Sequence, residues 1–293
     1  MIYVTQGHQD GIGLEVFLKS FLCLNKVNQT KFTLICNEDS FNNTLRSIHT
    51  NNPINLKTIF TDKTQETQTI ASIELAISKI LNSDILLTLP SSKDQFILND
   101  KILSGHTEYF RKKYHNNSIS MSFISKNMIT TLLSDHIPLA DVSAYLTEDL
   151  IVNKIEITLN SLVKIKHIKE VIFSGINPHC GEDGLMGEED KLISSSISRL
   201  EKKYPKVKFT GPLAGDTMHF NHIDSTQLLV YAYHDQGLTV FKQYNGLTGI
   251  NTTFGLPFIR VSPDHGTAFN IAGRNEANYL GMNYLLNEIL TWI

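Results

Sequence analysis

The chain has 293 residues, of which 41% are hydrophobic and 19% charged, so it is long enough for one large or two smaller α/β cores. Its 26 basic and 29 acidic residues give a net charge of -3, and this balance, with no long basic run, argues against nucleic acid as a partner. No apolar run approaches the roughly 18 residues that cross a bilayer, and Met1 leads directly into strand-like sequence, so we expect a cytoplasmic protein with no membrane partner.

Short β-rich apolar runs alternate with longer runs of helical period along the chain. This alternation predicts a parallel or mixed sheet covered by helices. There is no internal repeat, low-complexity tract or evident linker. The predicted strands are Ile2–Thr5, Phe32–Cys36, 85–89, 171–174 and 228–233, and the predicted helices are 14–24, 68–81, 188–203 and 276–290.

A glycine motif follows the first predicted strand. Residues 5–13, with sequence TQGHQDGIG, resemble the cofactor loop of short-chain dehydrogenases, and Tyr109 and Lys113 supply a Y-x-x-x-K. No Asn-Asn-Ala-Gly turn follows near Leu89, however, and the tyrosine comes too early for that family. A tight strand-to-helix turn and a cofactor loop are therefore equal alternatives for this segment.

Three histidines in the second half of the chain each lie within a short run of glycine, proline, amide and acidic residues. Helix interiors and central strands tolerate few such residues, so we predict these histidines on turns at the ends of elements, where binding groups are displayed. The pattern indicates an active site. The three are His179, His234 and His265.

The cysteines do not indicate a metal ribbon or a disulfide framework. Cys23, Cys36 and Cys180 are odd in number and form no CxxC pair. Only Cys180, beside His179, lies near a candidate site.

Taken together, a series of short motifs resembles the 4-hydroxythreonine-4-phosphate dehydrogenase family of pyridoxal phosphate biosynthesis. The motifs occur in that family's order and extend from Thr5 to Gly273. They are Gly105-His106-Thr107-Glu108, His136-Ile137-Pro138-Leu139, Gly175-Ile176-Asn177-Pro178-His179, Met186-Gly187-Glu188-Glu189, Gly211-Pro212-Leu213, Asp216-Thr217, Tyr233-His234-Asp235-Gln236-Gly237-Leu238, Gly255-Leu256-Pro257-Phe258-Ile259-Arg260 and Asp264-His265-Gly266-Thr267-Ala268.

The resemblance implies a fold like that of isocitrate and isopropylmalate dehydrogenases. We therefore expect two α/β/α subdomains whose mixed, largely parallel sheets flank a cleft. A cofactor-side subdomain is expected at 1–105 plus 250–293, and a metal-binding and dimerisation subdomain at 106–249.

The resemblance also implies a divalent metal site shared between the subunits of a homodimer. Its ligands are carried over to His136, His179 and His234. Independently of the family, three imidazoles suit a zinc-like ion and leave a coordination position open; magnesium and cobalt are the other candidates. The spacings of 43 and 55 residues match no local metal motif. By sequence alone each histidine is more typical of a structural or surface residue than of a ligand, and the assignment as ligands depends on the resemblance.

The family's substrate-binding positions fall on His106, Thr107, Lys242, Asn251 and Arg260. Arg260 ends an apolar run, so we expect its guanidinium to emerge at a strand end and face an anion. His106 and Thr107 are equally candidates to cap a helix beginning near Glu108, and Asn251 to close a turn.

Two residues are candidates for catalysis, Lys242 and Asp235. An adjacent cation would lower the pKa of Lys242 enough for it to act as a base, and a phosphate contact is the alternative. Lys93 occupies the family's position for a further lysine that contacts substrate or a bound carboxylate.

A second, more distant resemblance concerns the cofactor. The segment His265, Gly266, Thr267, Ala268, followed by residues 271–273 and Asn278, resembles the adenine-side loop of isocitrate and isopropylmalate dehydrogenases. Those enzymes hold NAD without a G-x-G-x-x-G turn. The loop therefore implies NAD or NADP, and a glycine turn that initiates a helix is the alternative.

The expected reaction is NAD(P)- and metal-dependent oxidation and decarboxylation of 4-phosphohydroxy-L-threonine to 3-amino-2-oxopropyl phosphate. Departures from the family pattern in residues 6–11 and 213–216, and a shorter segment between Gly13 and Lys93, leave D-threonate or D-erythronate 4-phosphate as alternative substrates. A metal-dependent lyase or hydrolase, and a catalytically silent paralogue, are the alternatives from other classes.

Overall fold

A computed structural model describes residues 1–50, 55–62, 67–116 and 118–293. The strands are β1 Ile2–Thr5, β2 Phe32–Cys36, β3 Lys57–Phe60, β4 Ile85–Thr88, β5 Ile97–Leu98, β6 Lys101–Ile102, β7 Ser120–Ile124, β8 Ile129–Leu132, β9 Glu170–Ser174, β10 Lys208–Leu213, β11 Gln227–Tyr231, β12 Ile250–Phe254 and β13 Ile259–Pro263.

Ten α-helices accompany these strands in the described residues. They are α1 Gly13–Leu22, α2 Lys26–Gln29, α3 Glu38–Ser47, α4 Gln68–Ile77, α5 His106–Tyr114, α6 Val142–Tyr145, α7 Glu148–Leu162, α8 Asp190–Lys203, α9 His234–Asn245 and α10 Leu280–Ile289. Side-chain oxygens cap the amino ends of several of these helices: Asn37 accepts from the Ser40 amide at α3, and Thr147 accepts from the Leu150 amide at α7.

The chain divides into two compact units, Met1–Asn116 with Leu256–Ile293, and Asn117–Gly255. We call them unit 1 and unit 2. Helix α5, expected in the metal-binding subdomain, belongs to unit 1. Aromatic contacts explain this, because the ring of Phe96 lies 4.6 Å from that of His106, and the ring of Phe110 lies 6.4 Å from that of Phe258.

Unit 1 contains a parallel sheet in the order β13-β4-β1-β2-β3. The central strands β1, β2 and β4 are almost continuously buried, as the apolar sequence predicts for strands covered on both faces. Helix α1 packs Phe17 and Phe21 against Phe32 of β2, with ring centroids about 6 Å apart.

Unit 2 contains a mixed sheet in the order β10-β9-β11-β8-β7-β12. Strands β10, β9, β11 and β8 are parallel, whereas β7 runs antiparallel to both β8 and β12. Its core includes Phe123 of β7 and Phe241 of α9, whose rings lie 5.7 Å apart. The strand arrangements within the two units confirm the predicted mixed, largely parallel α/β fold.

Most predicted elements are confirmed, with differences at their ends. The predicted helix at 68–81 ends at Ile77, and the closing helix begins at Leu280 rather than at 276. Helix α9 was not predicted at all. Among the described residues, none of the helices combines the length and apolarity that crossing a membrane requires.

Candidate active site

Two of the three predicted metal ligands come together in unit 2. Strands β8 and β11 are parallel neighbours, with Leu132 paired to Tyr231, so the residues that follow them emerge at the same edge of the sheet. His136 follows β8 and His234 follows β11 as the first residue of α9. Their ring centroids lie 5.6 Å apart, a separation at which both imidazoles can reach one ion.

A carboxylate orients one of these rings. Nδ1 of His234 lies 2.6 Å from Oδ1 of Asp235. Metal-binding histidines usually direct one ring nitrogen to such a partner, which leaves Nε2 for the ion. Asp235 was proposed as a catalytic residue, and this contact gives it an orienting position beside His234.

The third histidine lies on a backbone segment of unusual conformation. His179, Cys180, Gly181, Glu182 and Asp183 follow β9, and all five have positive φ, from 42° to 78°. Such φ values are uncommon and costly for residues other than glycine, and strained backbone of this kind clusters at functional sites.

A buried carboxylate holds the start of this segment. The side chain of Asp190, at the beginning of α8, accepts hydrogen bonds from the Ile176 amide at 2.7 Å and the Asn177 amide at 3.2 Å. Burial and the nearby carboxylate of Asp190 raise the pKa of the Cys180 thiol. Cys180 is therefore a poor thiolate ligand or nucleophile at neutral pH.

His179 and the His136–His234 pair line different cavities of unit 2. One cavity of about 490 Å³ includes His179 and Asp216, and another of about 270 Å³ includes His136 and His234. Tyr233 and Asp235 line both. Within the described ranges, no three His, Cys, Asp or Glu side chains of one chain are arranged to hold a metal ion. The assignment of all three histidines as ligands stays a prediction.

A buried ion pair lies beneath His136. Lys154 of α7 is fully buried, and its Nζ lies 4.0 Å from a carboxylate oxygen of Asp135, which is also buried. The other carboxylate oxygen of Asp135 accepts the amide of His136 at 2.8 Å. The pair therefore fixes the backbone that presents this imidazole.

The predicted substrate residues divide between the units, and one of those in unit 1 is a buried cation, Arg260. Arg260 is 2% exposed, and its Nε and Nη2 donate to Oγ1 of Thr88. Burial lowers the pKa of this guanidinium to about 9, which means that its charge is destabilised and that an anion would stabilise it. Arg260 is the second residue of β13, and its side chain is buried rather than emerging at the strand end as expected.

His106 and Thr107 begin α5 and do not cap it, because the N-cap residue is Gly105, with no side-chain hydrogen bond. His106 is half-buried, and its buried Nε2 has no hydrogen-bond partner. Burial, together with the charge of Arg260, lowers the pKa of His106 well below its ordinary value, so the ring is neutral at pH 7. Thr107 is also buried.

Lys242 and Asn251 belong to unit 2. Lys242 is exposed on α9, eight residues after His234 and therefore about 12 Å further along the helix axis. Asn251 lies within β12, so the alternative in which it closes a turn is wrong. Its buried Oδ1 has no hydrogen-bond partner and can accept from a ligand.

The predicted cofactor loop follows β13. Nδ1 of His265 lies 3.0 Å from the Gly266 carbonyl oxygen, and Nε2 is buried without a partner. The carbonyl of Thr267 accepts from the Ile12 amide, and Ala268 has positive φ. Oδ1 of Asn278 accepts from the Leu280 amide, a structural contact at the start of α10.

The N-terminal glycines permit close packing of neighbouring segments. A Cβ on Gly7 would lie 1.9 Å from the carbonyl oxygen of Pro90, and one on Gly11 would lie 3.2 Å from that of Thr267. Lys93 is exposed on a short 3-10 turn at Lys93–Gln95.

One residue of this region was missed by the sequence analysis. Glu15, in the first turn of α1, is 3% exposed. A carboxylate on the apolar, buried face of a predicted helix, directly after a glycine motif, was the available signal.

The fold places the chain in a recognised structural class. It resembles isocitrate dehydrogenase from Methylococcus capsulatus with a TM-score of 0.54, at 12% identity over 98% of this chain and 84% of that one. The fold is thus similar to that of isocitrate dehydrogenase, as predicted.

The sequence assigns the family within that class. The family model described as pyridoxal phosphate biosynthetic protein PdxA matches residues 14–285, and the chain belongs to this family of oxidoreductases. It is 31% identical to 4-hydroxythreonine-4-phosphate dehydrogenase from Sulfurihydrogenibium sp. over 94% of this chain and 92% of that protein. A crystal structure of a 4-hydroxythreonine-4-phosphate dehydrogenase from Burkholderia phymatum has a TM-score of 0.75, with 27% identity over 99% and 97% of the two chains. This assignment excludes the short-chain dehydrogenase family, which the N-terminal glycine motif resembles.

Proposed function

We propose that the protein oxidises 4-phosphohydroxy-L-threonine with a nicotinamide dinucleotide and a divalent metal ion. Oxidation of the hydroxyl on the carbon β to the carboxylate gives a β-keto acid, and loss of CO2 then gives 3-amino-2-oxopropyl phosphate. The pairing of His136 and His234 at the ends of neighbouring strands supports the proposal most strongly. The names of the relatives support the choice of substrate.

The donor set fits a divalent ion. His136 and His234 of one chain would supply two nitrogens, and His179 of a second copy would supply the third. This division accounts for the absence of a three-residue cluster among the described residues of one chain. Zinc, cobalt and magnesium are the candidates, and zinc and cobalt suit imidazole better.

Unit 1 would bind the phosphate. The destabilised charge of Arg260, the first turn of α5 at Thr107 and the neutral ring of His106 all favour an anionic ligand. Asn251 would accept a hydrogen bond from substrate at Oδ1.

The remaining residues would orient a metal ligand and accept a proton. When bound, the ion supplies a Lewis acid for the substrate hydroxyl, and the nicotinamide supplies the hydride acceptor. Asp235 holds the His234 ring in position. Lys242 is our candidate for accepting the hydroxyl proton.

Turnover experiments test this proposal directly. We expect NADH formation from 4-phosphohydroxy-L-threonine, with D-threonate and D-erythronate 4-phosphate as the alternative substrates, and loss of activity when a chelator removes metal. Faster turnover of either sugar-acid phosphate would replace the proposed substrate. Metal binding without turnover of any of the three would favour a lyase, a hydrolase or a silent paralogue.

Subunit complementation tests the shared site. His179→Ala and His234→Ala should each be inactive alone. Unfolding and refolding an equal mixture should restore about a quarter of the wild-type activity, because half of the randomly formed dimers carry one intact site of two. If all three ligands come from one chain, no mixed dimer has an intact site and activity stays absent.

A further inference from the structure

The interior of unit 2 contains a pair of opposite charges that is removed from solvent. Lys154 of α7 is 0% exposed, Asp135 is 5% exposed, and Nζ of the lysine lies 4.0 Å from Oδ2 of the aspartate. Replacing such a buried pair by apolar residues is often neutral or even stabilising, because taking two charges out of water costs much of what their attraction returns. Overall stability therefore does not explain why this pair is present.

The helix turn that carries Lys154 is attached to the sheet. The backbone carbonyl of Lys154 accepts a hydrogen bond from Oγ1 of Thr158 at 2.8 Å, and this hydroxyl lies 2.7 Å from Oγ of Ser120 in β7. All three residues are fully buried. The ammonium group therefore belongs to a rigid part of the unit and gives the carboxylate of Asp135 a partner in a fixed place.

Asp135 shapes the turn that presents His136. Its Oδ1 accepts from the His136 amide at 2.8 Å, and its backbone carbonyl accepts from the Ile137 amide at 2.9 Å. One residue thus holds two successive amides, the first of which belongs to the candidate ligand. The position of the carboxylate consequently sets the direction in which the imidazole leaves the backbone.

The residues just before this turn are joined to the segment that leads to His234. The amide and Oγ of Ser134 both donate to the carbonyl oxygen of Ala232, at 3.0 and 2.7 Å. The two candidate ligands are therefore connected on one side of His136 by Ser134 and held on the other by Asp135. Binding sites lose function when their groups move by more than about 0.5 Å, so this support matters for a shared ion.

The carboxylate has a competing place to go. Asp135 lines the cavity of about 270 Å³ that also contains His136 and His234. A carboxylate that loses a buried cation is stabilised by turning toward water, and that movement would release the His136 amide. Lys154 prevents this movement.

We propose that Lys154 and Asp135 are positioning residues for metal binding. The ammonium of Lys154 holds the carboxylate, the carboxylate holds the backbone of His136, and the backbone directs the imidazole toward the ion. The proposal rests on the proposed metal site and specifies two residues that set its affinity without being ligands.

Zinc binding by the full chain, freed of metal, tests the proposal without substrate or turnover. In isothermal titration calorimetry, Lys154→Met should bind zinc about 10- to 100-fold more weakly than the wild type, the loss typical of residues that support a metal ligand. Adding Asp135→Asn to this variant should return the affinity to within about fivefold of the wild type. The amide oxygen can still accept from the His136 amide and carries no charge that draws it into water.

A second pair of variants keeps the test independent of a buried single charge. Lys154→Met with Asp135→Leu also removes both charges, but it provides no acceptor for the His136 amide. It should bind zinc at least about tenfold more weakly than Lys154→Met with Asp135→Asn. Equal affinities of the two double variants would overturn the role of the Asp135 oxygen.

Leu159→Ala is the matched control for a merely structural effect. Leu159 is buried on the same helix, five residues beyond Lys154, and its truncation destabilises the core without changing a charge. With the fold checked by circular dichroism, its zinc affinity should stay within about twofold of the wild type. A loss as large as that of Lys154→Met would show general loosening of the unit and overturn the proposal.

Hydrogen exchange provides a readout in the absence of metal. The exchange rate of the His136 amide, divided by that of the Leu133 amide, which donates to the Tyr231 carbonyl, should rise at least about tenfold in Lys154→Met. The ratio should stay as in the wild type in Leu159→Ala, because global destabilisation affects both amides. An unchanged ratio in Lys154→Met would overturn the proposal.

The remaining outcomes separate this inference from the proposed function. Zinc binding by Lys154→Met that equals or exceeds that of the wild type overturns the inference while the metal site and the reaction stand. Absence of zinc binding by the wild type overturns the metal site and the inference together. Weakened zinc binding by Lys154→Met, in a protein that oxidises no phosphorylated hydroxy acid, supports the inference and counts against the reaction.

Discussion

The two units place polar residues at the carboxyl ends of parallel strands, but the residues differ in kind. In unit 2 these ends carry imidazoles, supported by the ion pair of Lys154 and Asp135. In unit 1 they carry carboxylates around a cavity, and a buried guanidinium lies within β13. The same sheet geometry therefore presents imidazoles at the strand ends of one unit and carboxylates at those of the other.

The largest expected effect concerns metal binding by the imidazoles of unit 2. His179→Ala and His234→Ala should each lower the affinity for the metal ion at least about a hundredfold. Even mutation of a residue that only supports a metal ligand lowers this affinity about 10- to 100-fold. Mass spectrometry of the purified protein measures the metal, and circular dichroism checks the fold. His167→Ala, an exposed histidine of unit 2, should retain metal. Stoichiometric metal in either ligand variant would refute the assignment.

The next effect concerns the stability of unit 2 beneath its site. Lys154→Met removes the cation beside the buried carboxylate of Asp135 and should lower the free energy of unfolding by about 3–5 kcal/mol. Urea denaturation measures the change. Lys191→Met breaks an exposed pair with Glu188 and should change stability by less than about 1 kcal/mol. Similar effects of the two variants would show that the buried pair does not support His136.

The smallest effect concerns the pH dependence of stability that His106 of unit 1 contributes. His106 has a pKa well below 6.5 in the folded chain, so below pH 6.5 the unfolded chain binds a proton that the folded chain does not. The free energy of unfolding should therefore fall with decreasing pH, by up to about 1.4 kcal/mol per pH unit from this group. His106→Asn should remove that contribution in urea titrations between pH 6.5 and 5.

The matched control for this pH dependence is a histidine at the other end of α5. His115→Asn replaces an exposed histidine with positive φ by a residue that tolerates that conformation. It should leave the pH dependence as in the wild type. If His106→Asn also leaves it unchanged, His106 is not held neutral in the folded state.

Sequence predicted the fold best where burial is continuous. Strands β1 and β2 begin and end where expected because apolar runs bounded by polar residues leave little choice of register. Helix α9 was missed because its first turn, from His234 to Gly237, has the composition of a loop. Gly237 has a packing role there: a Cβ would lie 2.7 Å from Cδ2 of Leu132. That reason depends on a neighbouring strand and cannot be found along the chain.

The candidate site was predicted from family motifs more than from local pattern. The pairing of His136 with His234 depends on which strands are neighbours, and 98 residues of sequence separate them. The burial of Arg260 and Glu15 was likewise not predictable from local sequence. A charged residue within an apolar stretch is compatible with either burial or exposure until its partners are known.

The backbone that carries His179 has a practical consequence for protein engineering. Glu182 and Asp183 are exposed L-residues in a conformation that glycine adopts at no steric cost. Glycine at either position should therefore relieve backbone strain without altering an imidazole. The gain is partly offset because glycine increases the conformational entropy of the unfolded chain. Thermostable variants of this enzyme can be sought in the loop beside the candidate ligand, where directed evolution would ordinarily avoid mutation.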